Sequence, residues 1–426
     1  MGEKAFFSKW PAAIALALAF AGAPSSAHAR ILYKYDGAVL FDGRYGPVAA
    51  AQDAINNRLR QCGLGNPIEV DGKFGSGTRT ALVRLLSCAS YASALGNDAE
   101  AQTGALTESV WRLLLTSDPP SLDARARTLM LSYEATDYVR AEWNFCQSSP
   151  LYNPANGQPI CYSNDRRSYL TWGPNGATAG HGREVQLILQ SIDRNNPALI
   201  GAAFGGEAAA VRRMFLMPDD GARRLETYLC GVWSNPDRRQ LWRSGFDRLG
   251  REILVRDRFD AVYRSASLDG GKIATFYRAY REFGLAPTEI DFAFFKDRSA
   301  HMTSSYQRIR DAIASIHATA ATPRWRVRRA IALAVRPANQ RPDRLGRDIA
   351  FYVDGAGGAL SGEEGTAWRD RGQYRASDVG LSDARAAGDF QPGPAIESSI
   401  PSPATLTPAE RAACPAAVLD TRPPPN

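Results

Sequence analysis

The sequence predicts a mainly helical protein, with a small three-helix N-terminal domain followed by a larger α+β domain that carries a minor β-lobe. Three observations lead there. Apolar residues recur three and four positions apart in successive stretches of Pro47–Leu115 and Asp123–Val335, the period of a helix with one buried face. Cys146 to Thr178 lacks that period and carries Pro, Gly and Asn, which places the β-lobe there. Ser117-Asp-Pro-Pro-Ser121 reads as a linker between the two parts. At 426 residues the chain is too long for one ordinary core, and its 44% apolar and 22% charged content is that of a folded globular protein.

Residues 1–29 have the pattern of a secretory signal: basic Lys4 and Lys9, an apolar Pro11–Ala23 stretch, and Ala27-His28-Ala29 as a cleavage site before Arg30. The apolar stretch is shorter than the ~20 residues that span a bilayer, and no later segment is long and apolar enough, so no membrane span is expected after cleavage. The expected location is periplasmic or secreted. In an exported chain the six cysteines read as disulfides. Proximity suggests Cys62–Cys88 and Cys146–Cys161, leaving Cys230–Cys414 by elimination; six cysteines allow fifteen connectivities. No zinc-ligand spacing occurs, and neither a metal nor another cofactor is expected. The net charge of +7 suits an acidic or polyanionic partner, but without a run of five or more Lys/Arg nucleic acid is not the expected one.

Arg30–Tyr45 is expected to be extended. Helices are expected over Pro47–Cys62, where Val48, Ala51, Ile55 and Leu59 share a face, over Thr78–Leu86, and over Thr107–Leu115. Val70-Asp-Gly-Lys-Phe-Gly75 between the first two is a tight turn in which Gly72 and Gly75 reach conformations closed to other residues and Asp71 can bond local amides. Beyond the linker, helical periodicity covers Asp123–Trp143, Arg183–Asp193, Glu207–Phe215, Gly221–Val232, Pro236–Arg258, Gly271–Phe283, Pro287–Phe295, Ser304–Ala318 and Trp325–Val335. The last is expected to be a core helix with a solvated Arg face. Residues 321–383 are expected to extend the larger domain, and 384–426, rich in Pro, Ser and Ala, to be largely disordered. There is no internal repeat.

Residues 46–117 resemble the three-helix peptidoglycan-binding domain found beside many cell-wall hydrolases. The resemblance rests on Ala51-Gln-Asp-Ala-Ile-Asn56 and on Val70-Asp-Gly-Lys-Phe-Gly-Ser-Gly-Thr-Arg-Thr-Ala-Leu82, which keeps the family's Asp-Gly-x-Phe-Gly turn and Thr-x-x-Ala helix start; the Ser87–Ala105 link is longer than the family's. It implies a wall-binding module, with Asp71 and Arg79 as candidate wall contacts.

Glu134 lies one turn past Leu129, Met130 and Leu131, and a carboxyl at the end of a buried helix can be kept protonated by desolvation, as a general acid requires. Leu131–Gly182, and residues 123–320 at the level of fold, resemble the lysozyme superfamily, in particular phage-type muramidases and endolysins. Glu134-Ala-Thr-Asp137 stands where those enzymes carry a catalytic Glu, with Ala for the usual Gly. Asp165, five intervening residues and Thr171 keep their Asp-to-Thr spacing, and Thr171-Trp-Gly173 opens a Gly-rich segment that ends at Gly180-His181. The gap from Glu134 to Asp165 is longer than theirs, and Pro174–Ala179 is extra. Asp247–Tyr263 and Gly284–His301 resemble the helical lobe of the related chitosanases.

These resemblances imply a glycoside hydrolase that cleaves β-1,4 bonds of peptidoglycan or a related polysaccharide. Glu134 would be the general acid, Asp165 would stabilise positive charge or activate water, and Thr171 would position that water. Asp137 and Glu142 compete for the second role, and Glu184 is expected in the first turn of the next helix. Trp143, Tyr169 and Trp172 are candidates for stacking on sugar rings, or else core residues, and His181 is a candidate substrate contact or structural hydrogen-bonder. A non-cleaving wall-binding protein, a lytic transglycosylase and a chitosanase-like enzyme are the alternatives.

Overall fold

The structure, a computed structural model, describes residues 29–134, 136–145, 168–180, 182–301, 305–335, 342–357, 360, 362–397, 400 and 402–415. The signal segment up to residue 28 and the Cys146–Cys161 pair lie outside the described residues. Among the described residues helices dominate, with three small antiparallel sheets.

The N-terminal module holds helices Pro47–Gln61, Ser76–Leu85 and Glu108–Leu114, as expected, and two short ones, Ala89–Leu95 and Ala99–Gln102, in the long link. It begins upstream of residue 46. Ile31–Tyr33 pairs with Leu106–Thr107, and Leu40–Phe41 with Lys73–Phe74. The second helix starts at Ser76 with Gly75 as its cap, two residues before the expected Thr78. Thr78 turns inward and accepts from Gln52 Nε2 at 3.1 Å. Gln52, 2% exposed, clamps the turn by also accepting from the Asp71 and Gly72 amides at 3.1 and 2.9 Å. Gly72 has φ +74°, and a Cβ there would meet the Gly43 carbonyl at 2.0 Å, so this turn requires glycine. Cys62 and Cys88 are bonded.

Two hydrophobic cores organise the chain, and they do not follow the expected division at the 117–121 linker. The first runs from Leu32 through the module to Leu114, through Ala126 and Leu129, and on through helices Asp269–Glu282, Glu289–His301, Tyr306–Ser315, Arg324–Ala334 and Pro342–Ile349 to Leu381. The second lies within Tyr138–Val262, where a three-stranded sheet meets helices Glu184–Asn195, Pro197–Phe204, Arg224–Ser234, Pro236–Arg251 and Ile253–Tyr263. Residues 324–381 are therefore part of the first core, packed with helices 269–315.

Three other expectations are corrected. The helix expected over Asp123–Trp143 is Leu122–Glu134 only, and Ala141–Trp143 is a strand. Asp137 breaks the helix by accepting from the Val139 amide at 2.9 Å, and the Ala141–Trp143 backbone pairs with Leu170–Trp172. The helix expected over Pro236–Arg258 is two, parted at Glu252, whose backbone is extended. The described part of the tail is anchored: Cys414 is bonded to Cys230, Leu406 is buried, Gly393 bridges to Ser265, and Thr407 and Glu410 form a capping box on Pro408–Ala412. Composition alone misses this because a disulfide and a few anchors hold a segment that has no core of its own. No helix among the described residues is long and apolar enough to cross a membrane.

Asp42 joins the module to the helix that ends at Glu134. Its carboxylate accepts from the Thr128 hydroxyl at 2.7 Å and from the Val48 amide at 3.2 Å. Burial pushes this carboxyl up to about 7, against the hydrogen bonds and the nearby Arg127 and Arg256. A carboxyl whose folded value exceeds its unfolded value binds extra proton in the fold, so its stabilisation is complete below about pH 4 and is lost as pH rises through 7. The change from this group is at most about 4 kcal/mol. Urea unfolding of Asp42→Asn at pH 5 and pH 8 is expected to show a smaller pH difference than wild type; Asp378, also pushed up to about 7, keeps a remainder.

Candidate active site

Glu134 is the last residue of Leu122–Glu134, a helix whose Ala126, Thr128, Leu129, Met130 and Leu131 are buried. Its side chain is 31% exposed and forms an ion pair with Arg347 of Pro342–Ile349. A guanidinium therefore faces the Glu134 carboxyl. Arg347 is itself held on its other edge by Asp297, with Nε 2.7 and 2.9 Å from the two carboxylate oxygens, and lies 5.3 Å from the Tyr133 ring centre. Burial acts to lower the Arg347 pKa, but Asp297 and Glu134 outweigh it and raise it above the usual arginine value. One guanidinium thus fixes the direction of Glu134 from behind.

The second part of the site is the sheet Ala141–Trp143, Ser168–Trp172 and Ala177–Gly180. Its register sets Glu142 opposite Thr171, and Thr171 opposite Thr178, in one row across three strands. Alternation sends Ala141, Trp143, Leu170, Trp172, Ala177 and Ala179 to the other face, into the second core. On the polar face Asn144 Nδ2 donates to Thr171 Oγ1 at 2.6 Å and to Ser168 Oγ at 2.9 Å. Glu184, first residue of its helix as expected, accepts from the Thr178 hydroxyl at 2.7 Å and from its amide at 3.2 Å.

The two parts meet at the hairpin turn after Thr171. Thr136, two residues past Glu134, donates to the Pro174 carbonyl at 3.3 Å. Gly173 has φ +78°, and a Cβ there would lie 2.4 Å from the Phe259 ring, so the turn packs directly onto the second core.

Trp172 is fully buried and donates from Nε1 to the Tyr138 carbonyl at 2.7 Å. Trp143 and Tyr169 are 9% and 3% exposed, with Trp143 packed 6.0 Å from Trp242 and the Tyr169 hydroxyl donating to Asp219 at 3.0 Å. These three aromatics are placed as core residues that anchor the sheet, not as open stacking faces. Asp137 is buried at its turn, whereas Glu142 is exposed and paired with Arg140. Asp165 and His181 lie outside the described residues. Asp71 closes its own turn, accepting from the Lys73 amide at 2.9 Å, and Arg79 is exposed and donates to the Thr103 carbonyl at 2.9 Å. Among the described residues no hydrogen bond joins either to the Glu134 group. No cluster of three or more His, Cys, Asp or Glu suited to a metal occurs among the described residues.

Sequence reading missed Arg347, Asp297, Asn144 and Thr178. The alternation of Thr171 with its neighbours could have found Thr178 across a hairpin; nothing local marks Arg347. Replacing Arg347 by Ala leaves Asp297, 5% exposed, without its charge partner. A loss of about 3–5 kcal/mol is expected. Urea denaturation of Arg347→Ala, Asp297→Asn and the double variant checks this; the double variant is expected to recover part of the loss. No protein family matches this chain, and no curated protein or solved structure matches it.

Proposed function

We propose that the protein cleaves β-1,4 glycosidic bonds of peptidoglycan or a related wall polysaccharide, with Glu134 as the general acid. The observation that carries this reading is the placement of Glu134: partly exposed at a helix end and joined through Thr136 to a hairpin that presents a row of polar side chains. Glu134 gives its proton to the leaving glycosidic oxygen. The Thr171 hydroxyl accepts from Asn144 and lies 3.4 Å from the Ser168 hydroxyl; with Ser168 donating in that contact, the Thr171 proton orients water or a sugar hydroxyl. The second role, steadying positive charge on the ring or activating water, falls to Asp165 by its spacing. Glu142, which stands beside Thr171, is the competing carboxylate. The N-terminal module serves as the wall anchor, in a periplasmic or secreted protein that uses no cofactor.

One observation favours a second reading. The ion pair between Glu134 and Arg347 also suits a wall-binding protein whose lysozyme-like domain no longer cleaves. Glu134→Gln decides between them. Clearing of purified peptidoglycan is expected to fall on the order of 10²–10⁴-fold while the circular dichroism spectrum and sedimentation with insoluble wall stay unchanged. A variant that clears wall as fast as wild type would sink the assignment, and a wild type that binds wall but never clears it would support the second reading. Reducing ends among the products indicate hydrolysis and anhydro-muramyl ends transglycosylation, and faster cleavage of chitosan than of wall would identify a chitosanase-like enzyme.

A further inference from the structure

Arg183 stands between the polar hairpin and the helix Glu184–Asn195. Its amide donates to the Gly180 carbonyl at 3.2 Å and its carbonyl accepts from the Leu187 amide at 2.9 Å, so it closes the turn after the third strand and opens the helix. It is 9% exposed, and its Nε, Nη1 and Nη2 are all buried without a hydrogen-bond partner.

This sets it apart. Five arginines are buried among the described residues, and the other four each meet a carboxylate: Arg125 meets Glu289, Arg298 meets Asp348, Arg328 meets Asp291 and Arg347 meets Asp297. Nothing among the described residues does this for Arg183. Burial alone acts on its pKa, and lowers it. Glu184, its neighbour in sequence, is turned onto the Thr178 hydroxyl at 2.7 Å and lies over Gly182, where a Cβ would come within 1.7 Å of its carboxylate. The helix that follows has no side-chain cap, so its positive end adds to the unmatched charge. A buried charge without a counter-charge is costly to the fold, and a guanidinium with all its donors unused matches a carboxylate through two parallel hydrogen bonds.

We propose that Arg183 is a specificity-determining residue that binds the carboxylate of an acidic sugar, the lactyl group of muramic acid in wall glycan. The need for an oxyanion comes from Arg183 itself; the choice of sugar rests on the wall-glycan reading of the Glu134 site. Arg183 follows the outer strand of the sheet, on the Thr178 side of the row that runs through Thr171 to Glu142. A neutral chitin chain would leave its charge unmatched, and the amines of chitosan would repel it.

Calorimetric titration of the full chain with N-acetylmuramic acid, with N-acetylglucosamine, which is the same ring without the lactyl group, and with inorganic phosphate tests the proposal. Wild type is expected to bind N-acetylmuramic acid roughly tenfold or more tighter than N-acetylglucosamine, the scale of one charge-assisted pair, and Arg183→Met to bind the two sugars alike. Without sugar, Arg183→Met is expected to unfold at the same or a higher urea concentration than wild type, because it keeps an apolar stem and removes the unmatched charge; a purely structural arginine would give a lower one. Equal binding of the two sugars by wild type, an unchanged preference in Arg183→Met, binding of phosphate in place of the acidic sugar, or a lowered urea midpoint in Arg183→Met overturns the proposal. None of these readouts requires cleavage. A wild type that prefers N-acetylmuramic acid through Arg183 but clears no wall sinks the Glu134 assignment alone, and one that clears wall without that preference sinks this proposal alone.

Discussion

The helix Glu289–His301 sets the constraint on which the rest of the structure depends. It runs through the first core with Glu289, Asp291, Asp297 and Arg298 all buried, and each of these charges must meet a partner brought by another segment. Glu289 takes Arg30 from the amino-terminal strand region, Arg125 from the helix ending at Glu134 and Arg385 from the tail. Asp291 takes Arg328 at 2.8 Å, Arg298 takes Asp348 at 2.8 Å, and Asp297 takes Arg347. Burying any one of these charges alone costs several kcal/mol, so a misplaced segment is penalised however apolar its surface. Well-packed apolar residues can stabilise as much; what the paired charges add is a single register for five segments that are far apart in sequence.

The same set of contacts aims Glu134. Arg347 is shared between a structural carboxylate, Asp297, and the candidate acid, so the geometry of the site is tied to the packing of the core. The polar hairpin belongs to the other core, held by Trp172 and Gly173 against Phe246 and Phe259. The site is therefore built where the two cores meet, joined by Thr136 to Pro174 and by Arg127 to Asp260. A site shared between two cores can change its opening by a small shift of one against the other.

Much of the fold was legible locally. The Pro47–Gln61 and Glu108–Leu114 helices follow from spacing and from Thr107 as a cap, and the Asp-Gly-x-Phe-Gly turn follows from the demand for positive φ at Gly72. Glu134 was legible because it ends a strongly periodic stretch. Misreadings arose where a tertiary contact overrode a local pattern. The helical pattern continued past Glu134 because Val139 and Trp143 are four apart, as on one helix face, although with Ala141 they also alternate as on a strand, and pairing with Leu170–Trp172 decides for the strand. Composition described the tail as open chain, while Cys230 and Arg213, nearly two hundred residues away, hold it through Cys414 and Glu410.

By itself the sequence determined most of the helical stretches, that a small sheet interrupts them, and that a carboxyl stands at the end of one buried helix. These follow from periodicity and capping, which act over a few residues. Only the tertiary structure decided that the amino-terminal module shares a core with residues 324–381, that three aromatics of the β-lobe face inward, and that Arg347 stands behind Glu134. Buried charges choose partners by position in space, and a contact across 213 residues leaves no local trace in the chain.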